Sequence, residues 1–483
     1  MLLSKLTKLP LSGADVEIAG LTEDSRKVKP GFLFIATPGV KQDGRAFIAD
    51  AVQKGAVAIL APEGSEITAP ITVVKTPDIR RETSLFAAAF YPRQPETVVA
   101  VTGTSGKTST TQFAREIWQA LGYPSASIGT LGLVTASGTS YGSLTTPDAI
   151  TLHHLLDDSV GQGVTHVAME ASSHGIEFNR LDGVLLKAGA FTNLSRDHLD
   201  YHQTMEAYFA AKKGLFSRLL PPGAAAILNA DVPEFDVLFD IAVMRGLKVI
   251  SYGKKGKNLC LKDARSDSRG QILSLEVFGV PTEVLLPVMG AFQAWNALCA
   301  VGLVIGSGSK AESAIKALSK VSGVPGRLQF IGTSNKGGEV FVDYAHKPDA
   351  LESVLHAMRP RVAAFQGAKL GVVFGCGGNR DKGKRPIMGE IAQKQADWVV
   401  ITDDNPRNED PAIVRAEILA GCADKSHVQE VGDRKEAIIE GIEKLNAHDV
   451  LIIAGKGHEP GQIVGDKVLP FDDAEEARKA LGL

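Results

Sequence analysis

The chain has 483 residues, enough for about three domains of ordinary size and too many for a single core. Hydrophobic residues make up 44% and charged residues 22%, which excludes a largely disordered chain and fits a globular one. A formal net charge of -3 gives no global electrostatic reason to bind nucleic acid or a membrane surface, and no apolar run reaches the ~18 residues of a membrane span.

Residues 1–94 carry short apolar runs, Gly31 to Ala36 and Ala56 to Leu60, separated by Gly and Pro turns, and so predict a small α/β unit. Its opening, Met1 to Pro10, lacks the apolar core and cleavage site of a signal peptide, so a cytoplasmic location is expected. Asp24-Ser25-Arg26 and the stretch from Gly39 to Gly44 are polar and loop-like. Tyr91 to Pro95, with two prolines, is the expected linker into a second region, 95–323.

That region opens on Thr97 to Thr111. A β-branched apolar run predicts a strand buried on both faces; Gly103 and Gly106 follow, and then Phe113, Ile117 and Leu121 recur at helical spacing. A strand, a glycine loop and a helix start in this order form an anion site: loop N–H groups face phosphate, Lys107 reaches the terminal phosphates of a nucleotide, and the Thr108 hydroxyl suits Mg²⁺. The chain has Val101 where the longer phosphate-loop pattern has glycine, so this is the shorter Gly-Thr-Ser-Gly-Lys-Thr form.

Further along, Val164 to Met169 predicts a buried strand ending on Glu170, the usual place for a metal-binding carboxylate and also for a helix cap. Asn193 to His202 crowds Arg196, Asp197, His198, Asp200, Tyr201 and His202 into a non-periodic run, which packing alone does not explain. Tyr208 to Phe216 predicts a helix carrying Lys212 and Lys213, which read by themselves as a solvent face.

The third region, 324–483, has four strand candidates, Val340 to Asp343, Gly371 to Phe374, Trp398 to Ile401 and Val450 to Ala454, with helical patterns such as Ile413 to Leu419 and Lys435 to Leu445 between them. A second open, doubly wound sheet is expected. Each strand runs into a polar cluster: Asp343 to His346, Gly375 to Asp381, Thr402 to Arg407 and Gly455 to Glu459. Ligands of such sheets bind at the carboxyl ends of the strands, so these ends are expected to form one site. Cys260, Cys299, Cys376 and Cys422 are widely spaced with no Cys-x-x-Cys pair and read as small apolar fillers.

These motifs, with Thr145-Thr146-Pro147-Asp148, Glu170 to His174, Ala211-Lys212, Gly326-Arg327 and Arg380 to Arg385, resemble those of the Mur ligases, ATP-dependent amide-bond-forming enzymes of peptidoglycan precursor synthesis. The resemblance runs over essentially the whole chain. It implies an α/β protein of three domains: 1–94 for the UDP-linked substrate, 95–323 a P-loop-type ATPase, and 324–483 a Rossmann-like amino-acid domain. The expected reaction passes the γ-phosphate of ATP to the D-glutamate carboxylate of UDP-N-acetylmuramoyl-L-alanyl-D-glutamate; the amine of meso-diaminopimelate then attacks the acyl phosphate.

The resemblance also implies the roles of particular residues. ATP falls to Gly103, Thr104, Ser105, Gly106, Lys107, Thr108 and Ser109, with Asn296 on adenine, Arg327 on phosphate and Asp343 on ribose. Magnesium falls to Thr108, Glu170, His198 and Lys212, with a carbamate on Lys212; Lys107, Lys212 and His198 carry catalysis. The UDP-linked substrate falls to Ser25, the 39–41 loop, Thr145, Thr146, Ser172 and Arg180. Diaminopimelate falls to Arg380, Asp404, Asn405, Pro406, Arg407, Gly455 and Glu459. A monomer binding only small molecules is expected. Ser105, Gln293 and Lys347 depart from common family residues without touching the chemistry, whereas Phe178 stands where some relatives place a substrate-contacting glutamine. The alternatives are a lysine-adding ligase, a folylpolyglutamate synthetase-like ligase and a nucleotide-binding switch without bond formation.

Overall fold

The computed structural model describes residues 1–39, 42–140, 142, 144–267 and 269–483, with the backbone alone at Asp200. Val40 and Lys41 of the expected substrate loop, and the Asp200 side chain, lie outside the described residues. Internal contacts divide the chain into two units: Met1–Asp263 with Ser274–Val284 and Trp295–Lys320, and Ala264–Leu273 with Leu285–Ala294 and Val321–Leu483.

In the first unit the N-terminal apolar runs become a parallel sheet in the order Gly20–Thr22, Phe32–Ile35, Ala58–Pro62, Thr72–Thr76. Helix Ile79–Phe90 follows, started by Asp78, whose carboxylate accepts from Arg81 N at 3.1 Å and satisfies an N–H that a helix start leaves open. Eight strands of a larger, eleven-stranded sheet run in the order Lys248–Gly253, Ala225–Asn229, Leu186–Phe191, Thr97–Thr102, His166–Glu170, Ser125–Gly129, Gly132–Thr135, Gly138–Ser140. These eight are parallel until the last two, which turn back antiparallel. Thr97–Thr102 lies between two neighbours and is buried along its whole length, as its run of valines requires. Val101 faces Glu170 in register, so the phosphate loop and the acid leave the same edge of the sheet.

The second unit is built on a six-stranded sheet in the order Gln329–Thr333, Glu339–Asp343, Val450–Ala454, Leu370–Phe374, Trp398–Ile401, Val428–Glu430. The four strands read from sequence stand side by side at its centre, all parallel; a single antiparallel strand lies at one edge. Alternation feeds two cores: Phe341, Val372, Ile401 and Ile452 pack on one face, and Val342, Val373, Val400 and Ile453 on the other. The edge strands escaped the sequence reading because Gln329–Thr333 and Val428–Glu430 are short and only partly buried, with little apolar pattern to betray them.

Two arginines lie wholly inside this unit. Arg434 forks onto Asp473 at 2.7 Å through both Nε and Nη2, with neither side chain exposed, and also bonds the carbonyls of Ala454 and Asp403, tying two strand ends together. Arg385 forks onto Glu409 at 3.0 Å and reaches Glu417 at 2.6 Å. That pairing holds the Glu409 carboxyl down at about 2. All four cysteines are free and buried, as expected of fillers. No helix among the described residues is long and apolar enough to cross a membrane.

Breaking a buried ion pair leaves an uncompensated charge, so Asp473→Ala is expected to cost the second unit about 3–5 kcal/mol. The measurement is the urea midpoint, which should fall; an unchanged midpoint would count against the pair as a structural anchor.

Candidate active site

The phosphate loop is anchored from outside as well as by its glycines. Thr104 N donates to Asn193 O at 2.9 Å, Ser105 N donates to Asn193 Oδ1 at 3.0 Å, and Thr192 Oγ1 donates to Ser105 O at 2.7 Å. Two loop N–H groups expected to face phosphate are therefore engaged by Asn193. Gly106 opens helix Lys107–Ala120 with φ +84°, and a methyl group there would meet Asn296 Oδ1 at 2.3 Å. Asn296 thus stands against the loop itself. At Gly103 a methyl would meet Thr192 Oγ1 at 1.9 Å, so neither glycine tolerates a side chain. Ser109 lies buried in the first turn of the helix.

Lys107 folds back so that its Nζ donates to Gly103 O and Thr104 O, both at 2.9 Å. Lys212, on helix Met205–Gly214, is buried and donates to the same Gly103 O at 2.8 Å, its ammonium 4.2 Å from the Tyr208 ring centroid. The solvent-face reading of Lys212 is overturned by its burial against the loop. Burial pushes the Tyr208 hydroxyl up to about 12, so it stays neutral beside that ammonium.

Glu170 is the hub of a second cluster. Its Oε1 accepts from Thr108 Oγ1 at 3.0 Å and Thr130 N at 2.8 Å, and its backbone carbonyl accepts from Thr146 Oγ1 at 2.8 Å. Thr145 meets Thr130 at 3.2 Å, Ser172 N donates to Thr146 Oγ1 at 2.9 Å, and Arg180 Nη1 donates to Thr146 O at 2.8 Å. Five residues singled out from sequence, Thr108, Glu170, Thr145, Thr146 and Ser172, are thereby one network with Arg180 at its rim. Ser25 begins a separate turn capped by Asp24.

His198 is half exposed in the left-handed region, φ +53°, with Nε2 3.4 Å from Asp197 Oδ2 and its ring 5.3 Å from that of His174. Among the described residues no group of three His, Cys, Asp or Glu side chains is placed to hold a metal by itself. Thr108 and Glu170 nevertheless offer hard oxygen donors side by side, the chemistry that magnesium takes when phosphate and water complete its shell. The fit is good for these two.

In the second unit, Asp343 Oδ2 accepts from Leu328 N at 2.6 Å and Oδ1 from Ala345 N at 2.9 Å, which clamps the residue after Arg327. Arg327 lies with Cζ 4.7 Å from the Tyr344 ring centroid. Burial pushes Asp343 up to about 6 against the pull of Arg327, and pushes His346 down to about 3.

The expected amine site gathers around Asn405. Its Nδ2 donates to Glu459 Oε2 at 2.9 Å, while its Oδ1 accepts from Lys456 Nζ at 3.2 Å and Ile463 N at 2.9 Å. Lys456 Nζ also reaches Glu459 Oε2 at 3.2 Å, so Glu459 already faces one ammonium from the chain itself. Arg407, at φ +53°, donates from Nη1 to Gly378 O at 2.9 Å. A methyl on Gly377 would lie 2.7 Å from Arg407 Nη1 and 3.8 Å from Arg380 Cγ, so both arginines flank that glycine, Arg380 the exposed one. Gly455 N donates to Asp343 O at 3.1 Å, and Asp404 and Pro406 are buried beneath, with burial raising the Asp404 carboxyl.

Sequence reasoning missed Thr130, Asn193 and Lys456 as members of these networks. Lys456 was legible inside Gly455 to Glu459 and Asn193 at the head of the run to His202, though without these roles, and nothing local marks Thr130; Thr130 and Asn193 find their partners 40 and 88 residues away.

Residues 17–96 match the family model described as Mur ligase family, catalytic domain; 101–304 match the Mur ligase middle domain, and 326–457 the Mur ligase glutamate ligase domain. The chain is 50% identical over 477 residues to the UDP-N-acetylmuramoyl-L-alanyl-D-glutamate--2,6-diaminopimelate ligase of Mesorhizobium japonicum, covering 98% of this chain and 97% of that one. It is 51% identical to the ligase of the same name from Bradyrhizobium diazoefficiens, covering 97% and 96%. A solved structure of a ligase of that name aligns with TM-score 0.74 and 32% identity, covering 100% of this chain and 99% of that one. Folylpolyglutamate synthase from Mycobacterium tuberculosis shares the fold, with TM-score 0.63 at 18% identity over 84% and 95% of the two chains.

The Asp343 environment sets a pH dependence. Its folded pKa of about 6 lies above the ~3.9 of an unfolded aspartate, so in that window the folded chain holds a proton that the unfolded chain has lost. This contribution to stability is complete below about 4 and is lost as pH rises through about 6, with a slope of up to about 1.4 kcal/mol per pH unit. Urea unfolding at pH 4, 5 and 6 checks it: Asp343→Asn should lack this component of the slope. Equal slopes would show that Asp343 does not hold the proton.

Proposed function

The chain belongs to the Mur ligase family, and from that premise we propose that it joins meso-diaminopimelate to UDP-N-acetylmuramoyl-L-alanyl-D-glutamate at the expense of ATP. The observation that carries this reading is the convergence of Lys107 and Lys212 on Gly103 O beside the Thr108–Glu170 pair. The Lys107 ammonium and a helix N-terminus at one strand end attract the triphosphate of ATP and hold its γ-phosphate for transfer. The acceptor is the D-glutamate side-chain carboxylate, with Thr145, Thr146, Ser172 and Arg180 holding its nucleotide-linked peptide. The amine of diaminopimelate then attacks the acyl phosphate and phosphate leaves.

Magnesium, when bound, neutralises phosphate charge during transfer, and Thr108 and Glu170 are the residues that would hold it, with His198 as a further ligand. A carbamate on Lys212 fits the same place. After an ammonium proton is lost, the neutral Lys212 amine adds CO₂ and releases a second proton, which replaces one of two mutually repelling cations by an anion and adds an oxygen donor. We assign Asn296, Arg327 and Asp343 to ATP, and Ser25 to the uridine end. The spans of the three family models support a division into 1–94, 95–323 and 324–483. A nucleotide-linked precursor and ATP also suit a cytoplasmic reaction.

Amine choice rests on the second unit. The far end of diaminopimelate carries a carboxylate that L-lysine lacks, and Arg407 with Arg380 beside Gly377 offers it two guanidiniums, while Glu459 with the Gly455 carbonyl receives its ammonium. Discrimination of roughly a hundredfold or more over lysine follows if each side of the contrast contributes 1–3 kcal/mol.

An amine panel with ATP and the nucleotide dipeptide tests the whole reading: amide product should form with meso-diaminopimelate and scarcely with L-lysine, and Arg407→Ala should lose the preference through weaker diaminopimelate use. Equal use of both amines by the unaltered chain would refute the specificity; no product with any amine would refute the ligase reading. Separately, Lys212→Ala is expected to abolish turnover, with partial rescue by a short carboxylic acid that replaces the missing anion. Full activity in that variant would end the carbamate role.

A further inference from the structure

Phe178, the position where a substrate-contacting polar residue was expected to be missing, carries two guanidiniums. Arg80 Cζ lies 4.1 Å from its ring centroid and Arg180 Cζ 5.6 Å. Arg80 comes from the first turn of helix Ile79–Phe90, and that helix is tied to the Phe178 segment at several points. Ser84 Oγ donates to Asn179 O at 2.6 Å, Asn179 Nδ2 donates to Asp78 Oδ2 at 3.4 Å, and Arg81 meets Asp182 at 3.5 Å. Arg80 is therefore placed by the fold and is not a loose surface charge. Glu23 and Asp148 lie near enough to act on Arg180, and Glu23 on Arg80, yet neither arginine closes an ion pair among the described residues. Arg180 also bonds Thr146 O, which places the pair at the rim of the Glu170 network.

Two neighbouring cations repel each other, and an aromatic face offsets only part of that cost. An anion bridging them removes it and gains charge-assisted hydrogen bonds. We infer that Arg80, set across Phe178 from Arg180, adds a second guanidinium to the substrate site already assigned to Arg180 and shares with it an anionic group, carboxylate or phosphate, of the nucleotide-linked peptide. Arg80 is a binding residue in it and Phe178 a positioning residue. This deepens the ligase reading proposed above and rests on it for the identity of the substrate.

Arg80→Ala should raise KM for UDP-N-acetylmuramoyl-L-alanyl-D-glutamate by about tenfold while kcat and KM for ATP stay within about twofold, with Arg80→Lys in between. Phe178→Leu keeps bulk without a π face and should raise the same KM by about threefold. Arg81→Ala, which removes the pair with the buried Asp182 and leaves the Ser84–Asn179 and Asn179–Asp78 bonds in place, should match the unaltered chain. An unchanged KM in Arg80→Ala, or equal losses toward ATP, overturns the subsite; if that variant does not fold, Arg80→Lys decides on the same criteria.

Calorimetric titration separates this from failure of the ligase reading. If the unaltered chain forms no amide, a tenfold affinity difference between it and Arg80→Ala for the nucleotide dipeptide still supports the subsite, and equal affinity or no binding overturns it. UDP-N-acetylglucosamine, which has the diphosphate and no carboxylate, tells the sources apart: a loss confined to the dipeptide assigns the carboxylate, and an equal loss for both assigns the phosphate.

Discussion

Two ammonium groups on one backbone carbonyl is the arrangement on which the first unit depends. Gly103 O receives Lys107 from the helix that the loop begins and Lys212 from a helix more than a hundred residues further along the chain. The two side chains meet there beside the Thr108–Glu170 pair. The loop cannot relax away from the two charges, because Asn193 and Thr192 pin Thr104 and Ser105 from the neighbouring strand end and glycine is required at 103 and 106. Positive potential is thus concentrated at one strand edge in a chain whose net charge is -3.

The second unit separates its arginines by task. Arg434 and Arg385 are fully buried and paired with carboxylates, and each also bonds backbone carbonyls at the ends of strands or in the loops that follow them. They hold the loops. Arg407 and Arg380 stand on those loops, around Gly377. Asp404 and Glu459 supply the opposite charge nearby, and Lys456 shares Glu459 and Asn405. The proposed preference for a zwitterionic substrate end, with a carboxylate beside an ammonium, rests on this layout.

Phosphoryl transfer places few covalent demands on a protein and many positional ones. That explains why the first unit spends its polar side chains on one another: Thr108, Thr130, Thr145 and Thr146 orient Glu170 and are oriented by it. A network in which each hydroxyl has a partner keeps its geometry before the ligand arrives.

Local pattern alone determined a great deal here. A buried strand, a glycine turn and a helix start are each dictated by residues within a few positions, so the phosphate loop was legible, as were the four central strands of the second unit and the polar clusters that follow them. Family resemblance added roles to residues already marked by their type and spacing. What no local signal carried were the long-range pairings: Lys212 read by itself as a solvent-facing charge, a reading that only the family resemblance reversed, and its bond to Gly103 O came from the fold; Phe178 read as a lost contact until the fold set Arg80 on its ring. Asn193, Thr130 and the Arg434–Asp473 pair belong to the same class. Sequence fixes a residue's chemistry and its local backbone, because those depend on near neighbours; whether a charge is solvated, paired or set against another of like sign depends on which distant segments the packing brings beside it, and only the tertiary structure decides that.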